Sequence, residues 1–314
     1  MNVAVMLNPA SGRGRAVRAA DRACGEFVRA GLVPVRIALD APEEDVRSSV
    51  AGARAVVVVG GDGTVRSLAA RMAGAGVPIA IVPTGTENLA ARAFGFRCSL
   101  RRLAEAVVRG THRQIDLGEV VVPGGMPHPF VVMASAGFDA EVVARVQAGR
   151  TGPISHRTYV GPILRSIRGW QAPWIEVRPV GGDPAPGMTG GIGAGLVARR
   201  DAFAGTVVIA NAREYALRMN PAHDADPSDG ALDGVALAAR SGAGMLAWVA
   251  RCLLRLPLPP EARLGRAVAW ELGFDRPVHL QADGDPVPGG PVREATVRVR
   301  PGATCLLDMR GTGG

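Results

Sequence analysis

The 314-residue sequence contains no lysine: all 36 basic side chains are arginine, against 28 acidic ones, for a formal net charge of +8. Chemistry that needs an ε-amine is thereby excluded, including Schiff-base aldolases and pyridoxal phosphate enzymes. The same absence excludes a P-loop, whose lysine reaches the phosphates, and a protein-kinase site with its strand lysine. Any phosphate bound here must rely on backbone N–H groups, metal ions or arginine. Cysteine is scarce, and Cys24, Cys98, Cys252 and Cys305 form no CxxC pair. Neither a zinc site nor a disulfide framework is suggested, so a reducing cytoplasm is the default compartment. Long apolar runs are missing too, since none approaches the roughly 18–20 residues that span a bilayer. The opening MNVAVMLNPASG has no charged leader and reads as a first strand rather than a signal peptide. His112, His128, His156, His223 and His279 are scattered without metal-ligand spacing and receive no role.

What is present suits a globular protein of two domains. The chain is 47% hydrophobic and 20% charged, and its 42 glycines and 24 prolines indicate many turns rather than disorder. A basic balance favours an anionic membrane surface or anionic ligands. It does not by itself indicate nucleic acid, because genome composition also produces arginine-, alanine- and glycine-rich usage.

The first 118 residues alternate apolar runs with helix-like stretches. Residues 3–7, 33–39, 55–59 (AVVVV) and 78–82 read as strands, and 15–30, 43–53 and 65–75 as helices. This rhythm predicts a doubly wound parallel sheet. From 119 to about 290, β-type runs dominate: 120–122, 130–134, 174–180, 205–210, 235–238 and 278–281, with helices over 140–148 and 244–254. Turn-rich stretches such as GGDPAPGMTGG separate some of these runs. They predict a mainly antiparallel second domain, and 291–314 supplies a last strand that can return to the first domain.

Three loops carry the functional signal. Asn8, Pro9, Ala10, Ser11 and Gly12 follow the first strand; Gly60, Gly61, Asp62, Gly63 and Thr64 follow AVVVV; Pro83 to Asn88, with Thr86, follow the fourth. Loops that follow strands share the carboxyl edge of a parallel sheet. Each offers glycine for close backbone approach, or a hydroxyl, at the start of a helix whose N–H groups can hold an anion. Singly, such a loop reads as a tight turn or helix cap; three at one edge favour a ligand. A dinucleotide-binding Rossmann protein fits poorly, because the first loop is not GxGxxG and only Asp40 is placed to serve the second strand.

NPASG, GGDGT and PTGTEN, in this order and spacing, resemble the diacylglycerol kinase catalytic-domain family, in particular bacterial lipid kinases grouped with diacylglycerol kinase B and YegS. The likeness continues through Ala136-Gly137-Phe138-Asp139, Asn211-Ala212, the stretch from Asp226 to Asp233, and Asp283-Gly284-Asp285. It implies an NAD-kinase-like α/β N-terminal domain and a β-sandwich C-terminal domain. It also implies ATP as phosphoryl donor, Mg²⁺ as cofactor and a lipid hydroxyl as acceptor. Carried over by position, Asn8 to Gly12, Gly60 to Thr64 with Val65 and Arg66, and Thr86 would contact ATP. Asp226, Asp229 and the Leu232 carbonyl would hold a structural Mg²⁺, and Asp283 would be the catalytic proton acceptor. Arg66 stands where the family has asparagine, Leu89 where it has an acid, Asp285 where it has glutamate, and no threonine ends the second strand.

The residue types suit phosphoryl transfer, which asks a protein to position its reactants and neutralise charge. Asp62 can cap a helix or hold a metal. Asp283-Gly284 is equally a hairpin-turn pair, and the four carboxylates between Asp224 and Asp233 are equally a solvated turn. The apolar segment GMLAWVARCLLRL, with Arg251 and Arg255 four apart, reads first as a helix covering a core and second as one lying on a bilayer. The expected location is cytoplasmic, with peripheral contact to the inner membrane face, and a homodimer is compatible. The rival readings are a kinase for a soluble acceptor, a nucleotide-binding regulatory protein with weakened catalysis, and a redox Rossmann enzyme.

Overall fold

The computed structural model describes residues 1–8, 14–149, 156–184 and 202–309. The chain divides into two compact units, residues 1–117 with 302–314, and residues 118–301.

The first unit is built on a parallel sheet of β1 (Asn2–Leu7), β2 (Val33–Ala38), β3 (Val56–Gly60) and β4 (Ile79–Pro83), in the order β4-β3-β1-β2. Every residue of β3 is buried, as its valine run predicts for a strand covered on both faces. The order places the switch point of the sheet between β3 and β1, flanked by the loops that follow them. Helices α1 (Arg15–Arg29), α2 (Glu43–Val50) and α3 (Asp62–Arg71) connect the strands. Helix α1 buries Ala16, Ala19, Ala20, Ala23 and Phe27, a stripe at helical spacing whose small side chains let it lie close to the sheet. Helix α3 starts at Asp62 rather than Val65, because Thr64 and Val65 already close its first turn onto Gly61 O. The short α4 (Leu89–Ala93) follows β4. Helix α5 (Leu100–Arg109) is absent from the sequence reading, although Ser99 caps its start and left-handed Gly110 its end.

The second unit is antiparallel. It contains β5 (His112–Val121), which begins in the first unit, then β6 (His128–Phe130), β7 (Met133–Ala136), β8 (Trp174–Pro184), β9 (Ala202–Ala210), β10 (Leu232–Ala238), β11 (Arg263–Val278), β12 (Leu280–Ala282), β13 (Asp285–Pro286) and β14 (Val292–Leu307). Strand pairing closes on itself through β9-β10-β11-β8-β9, and β12 and β7 extend it from β9. Trp270, fully buried, lies at the centre of the core with Phe130, Ile209 and Leu272. It packs over Gly234, where a Cβ would stand 2.8 Å from the indole. Helices α6 (Phe138–Ala148), α7 (His156–Arg168) and α8 (Gly242–Leu253) form a second apolar cluster around Phe138, Trp170 and Met245. Among the described residues no helix is long and apolar enough to cross a membrane.

Two expectations are corrected. The strand expected over 130–134 is two strands, because Val131 and Val132 leave the ladder to serve another partner, described below. The stretch GGDPAPGMTGG begins as the end of β8, and its residues from 185 lie outside the described residues. The last strand serves both units: Trp270 pairs with Val297 in the second, and Leu306 pairs in parallel with Ile79 in the first.

Candidate functional site

In the first unit, strand register brings the loop-bearing ends together. Leu7 pairs with Val59, and Gly60 with Pro83, so β1, β3 and β4 end side by side. The loops after β3 and β4 then touch backbone to backbone. Thr84 N–H donates to Gly60 O at 2.9 Å. A Cβ on Gly85 would lie 2.8 Å from the Gly61 Cα, too close for any side chain, and one on Gly61 would lie a tight 3.2 Å from the Gly85 Cα. Asn88, in left-handed conformation, accepts from Gly85 N–H at 2.8 Å and donates back to Gly85 O at 2.9 Å.

Asp62 caps a neighbouring helix. Its Oδ1 accepts from Ala90 N–H at 3.0 Å, in the first turn of α4, and so ties the second loop to the third. Gly60 and Gly61 lie at the turn into α3, Gly63 in its first turn, and Thr86 is exposed on the third loop. Thr64 and Val65 are buried, which makes Val65 a core residue, and Arg66 is partly buried on α3. Leu89 packs into the core, where an acid would not. The stretch Leu39-Asp40-Ala41 is held by Arg71, which donates to the Leu39 and Ala41 carbonyls. Asn8 closes β1, while Pro9, Ala10, Ser11 and Gly12 lie outside the described residues.

In the second unit, Asp283 is a hairpin residue held in a specific environment. Asp283 and Gly284 both have positive φ, 50° and 85°, and make the two-residue turn between β12 and β13. The carboxylate is buried and takes three backbone N–H donors: Val131 on Oδ2 at 2.7 Å, and Val132 and Met133 on Oδ1 at 2.9 and 3.1 Å. This is why β6 and β7 are separate strands. The bend between them turns consecutive N–H groups toward one carboxylate, an arrangement that stabilises negative charge. Asn211 braces the bend: its Nδ2 donates to Val131 O at 2.8 Å, and its own N–H to Val132 O at 2.8 Å.

A polar cluster adjoins this turn. Gln281 Oε1 accepts from Gly284 N–H at 2.8 Å, and its Nε2 donates to Ser135 Oγ at 2.6 Å and Asp139 Oδ2 at 3.3 Å. Ser135 and Tyr215 both donate to the same Asp139 oxygen. Burial, then the Asp139 carboxylate, push the Tyr215 phenol well above its ordinary range, so it remains a neutral donor. Gly137 opens α6 at φ 119°, with Gly205 O and Thr206 Cα too close for any Cβ. Ser135, Tyr215 and Gln281 escape the sequence reading, because no local pattern marks a serine, a tyrosine and a glutamine that meet only through the sheet.

The acidic loop is internally bonded. Asp226 Oδ1 accepts from Ser228 N–H at 3.1 Å and Oγ at 2.6 Å. Asp229 Oδ1 accepts from Ala231 N–H at 3.0 Å, and its Oδ2 pairs with Arg266 at 2.8 Å. The Leu232 carbonyl takes the Trp270 indole N–H at 3.0 Å. Burial, then nearby Asp229, push the Asp233 carboxyl up to about 6, against the pull of Arg266. The donors are hard oxygens of the kind Mg²⁺ takes, and their crowding is what a cation relieves. Among the described residues, no three histidine, cysteine, aspartate or glutamate side chains group as a metal site.

A cavity of about 500 Å³ lies in the second unit beside α6, lined in part by Trp170 and Val278 and by the polar Arg145, Glu141, Arg276 and His279.

Comparison with known proteins gives a consistent picture. Residues 2–120 match the diacylglycerol kinase catalytic domain, and residues 132–308 the YegS C-terminal NAD kinase beta sandwich-like domain. The sequence is 34% identical over 172 residues to a diacylglycerol kinase of Mycobacterium tuberculosis, covering 53% of this chain and 55% of that one. It is 38% identical over 96 residues to a Pseudomonas syringae protein described as "probable lipid kinase YegS-like", covering 30% of each. The chain thus aligns with about half the length of the first of these relatives. A crystal structure of a diacylglycerol kinase from Bacillus anthracis superposes with TM-score 0.64 at 15% identity, covering 98% of this chain and 96% of that one, which shows a shared fold.

Proposed function

The chain belongs to the diacylglycerol kinase catalytic-domain family, and from that premise we propose that it is an ATP-dependent lipid kinase that transfers the γ-phosphoryl group to a lipid hydroxyl. The observation that carries this reading is the backbone contact between Gly61 and Gly85 at the joined ends of β3 and β4. It joins the two strand-ending loops beside the start of α3, where a helix N-terminus favours an anion without any amine.

In this reading the first unit supplies the nucleotide contacts: Asn8 to Gly12, Gly60 to Thr64, Arg66 and Thr86. The second supplies Asp283. The acceptor hydroxyl oxygen bonds to the γ-phosphorus as the bond to the β–γ bridging oxygen breaks. The hydroxyl proton passes to the Asp283 carboxylate, and ADP leaves. The N–H groups of Val131, Val132 and Met133 hold that carboxylate in one orientation, and Gln281 holds the turn at Gly284 N–H, which matters more than reactivity in a positioning-dominated transfer. Mg²⁺ would neutralise phosphate charge, and a structural Mg²⁺ would be held by Asp226, Asp229 and the Leu232 carbonyl. The cavity beside α6, lined by apolar residues such as Trp170 and Val278 and by polar ones including Arg145, Glu141 and Arg276, suits the polar end of an amphiphile.

The decisive assay incubates the protein with γ-labelled ATP, Mg²⁺ and a panel of dispersed lipids bearing free hydroxyls. Label is expected in the organic phase with at least one of them. Label on NAD alone would establish a soluble acceptor, and nucleotide binding without transfer to anything would establish a regulatory protein. A variant tests the loop contact. Gly85→Ala forces a methyl against the Gly61 backbone and is expected to weaken ATP binding about tenfold or more by titration calorimetry. Unchanged affinity would move the nucleotide away from these loops.

A further inference from the structure

Helix α8 is apolar on the side that should face water. Met245 and Cys252 point inward and are buried. The outward row runs through Leu246 and Leu253 to Leu254 and Leu256 in the terminating turn, with exposures of 46, 49, 70 and 48%. Positions 243, 246, 247, 250, 253 and 254 recur at helical spacing, and all are exposed alanine or leucine. Scattered exposed leucines are ordinary; a continuous row marks an interaction surface.

Charge identifies the partner. Residues 234–260 contain no acidic side chain and three arginines, Arg240, Arg251 and Arg255. Arg240 precedes the helix cap Ser241 and stacks 5.3 Å above the half-exposed ring of Trp174. At the other end, Arg251 donates to Pro257 O, and Arg255 is exposed with φ 55°. The turn there is a Schellman cap, with Leu256 N–H to Arg251 O and Arg255 N–H to Cys252 O. Its left-handed position is one that glycine takes without strain, and this chain places a guanidinium in it. Guanidiniums at both ends of an apolar row, with an aromatic beside one of them, match the boundary between anionic headgroups and acyl chains. A second copy of the same face would set arginine against arginine across a two-fold contact.

We propose that α8 and its terminating turn dock on an anionic phospholipid bilayer, with the leucine row in the acyl boundary and Arg240, Arg251 and Arg255 on headgroup phosphates. This deepens the lipid-kinase reading, on which its purpose rests, by naming the surface through which the chain reaches a membrane-embedded acceptor. The test uses the full chain without ATP, co-sedimented with vesicles of phosphatidylcholine alone or with about one-third phosphatidylserine, neither of which carries an acceptor hydroxyl. Binding to the mixed vesicles is expected to be at least tenfold tighter and to weaken with salt. Leu253→Glu with Leu254→Glu is expected to weaken it at least tenfold with an unchanged circular dichroism spectrum. Arg255→Gly is expected to weaken binding while raising Tm by about 2–4 °C, since it relieves the left-handed residue. Absent binding, full binding by the double glutamate variant, or a wild-type dimer that this variant dissolves would overturn the docking surface. Vesicle binding without phosphoryl transfer would overturn the kinase reading and leave the docking surface standing.

Discussion

Replacing Asp283 by asparagine is expected to lower phosphoryl transfer to lipid by about 10²–10⁴-fold, the usual contribution of a positioned proton acceptor. The same change is expected to cost stability, which an ordinary turn aspartate would not. Both carboxylate oxygens receive backbone N–H groups, from Val131 on one and from Val132 and Met133 on the other. An asparagine must turn its NH₂ toward one of these donors, at a cost of about 1–3 kcal/mol for the unsatisfied group. Single-turnover transfer measured well below the thermal transition separates the two effects. Transfer retained by the folded Asn variant would remove Asp283 from the reaction and leave it a structural anchor of the bend.

The largest loss of stability is expected from Trp270→Ala. The indole is fully buried, packs over Gly234, and donates to the Leu232 carbonyl at 3.0 Å. Truncating a buried tryptophan typically costs about 3–5 kcal/mol, which corresponds to a Tm fall of roughly 10 °C for a unit of this size. Trp270→Phe restores most of the packing and leaves Leu232 O without its donor, so it is expected to recover most of the loss, short by about 1 kcal/mol. Thermal denaturation followed by circular dichroism checks both, and a Trp270→Ala loss below about 1 kcal/mol would show that the core closes around the gap.

The N-terminal sheet was legible because its signals are local. A run of valines can be buried on both faces, and a glycine-rich turn must follow it; β3 shifts by only one residue from its expected span. Strand β11 was not legible. Its buried residues, Leu264, Ala267, Trp270, Leu272, Phe274 and Val278, stand three apart up to Trp270 and two apart from there to Phe274, so no single period describes it. The candidate site divides in the same way. The Asp283-Gly284 pair announces a turn, but the N–H groups that hold its carboxylate come from about 150 residues earlier in sequence. Nothing near Val131 or Val132 marks them as donors. The exposed side of α8 was half legible: composition shows an apolar helix with two arginines, and only burial shows which side of it meets solvent.

The final strand has a consequence for dissecting the molecule. Residues 292–301 belong to the second unit, and those from Gly302 onward return to the first. There Leu306 lies along Ile79, Gly302 N–H reaches Asp116, and Ala303 O receives Gly74 N–H. A gene fragment that stops at residue 117 would leave β4 as a bare hydrogen-bonding edge, with Ile79 and Ile81 beside it, open to pairing with neighbouring chains and to aggregation. A soluble nucleotide-binding half therefore calls for grafting the closing strand back through a linker, or for circular permutation, rather than for simple truncation.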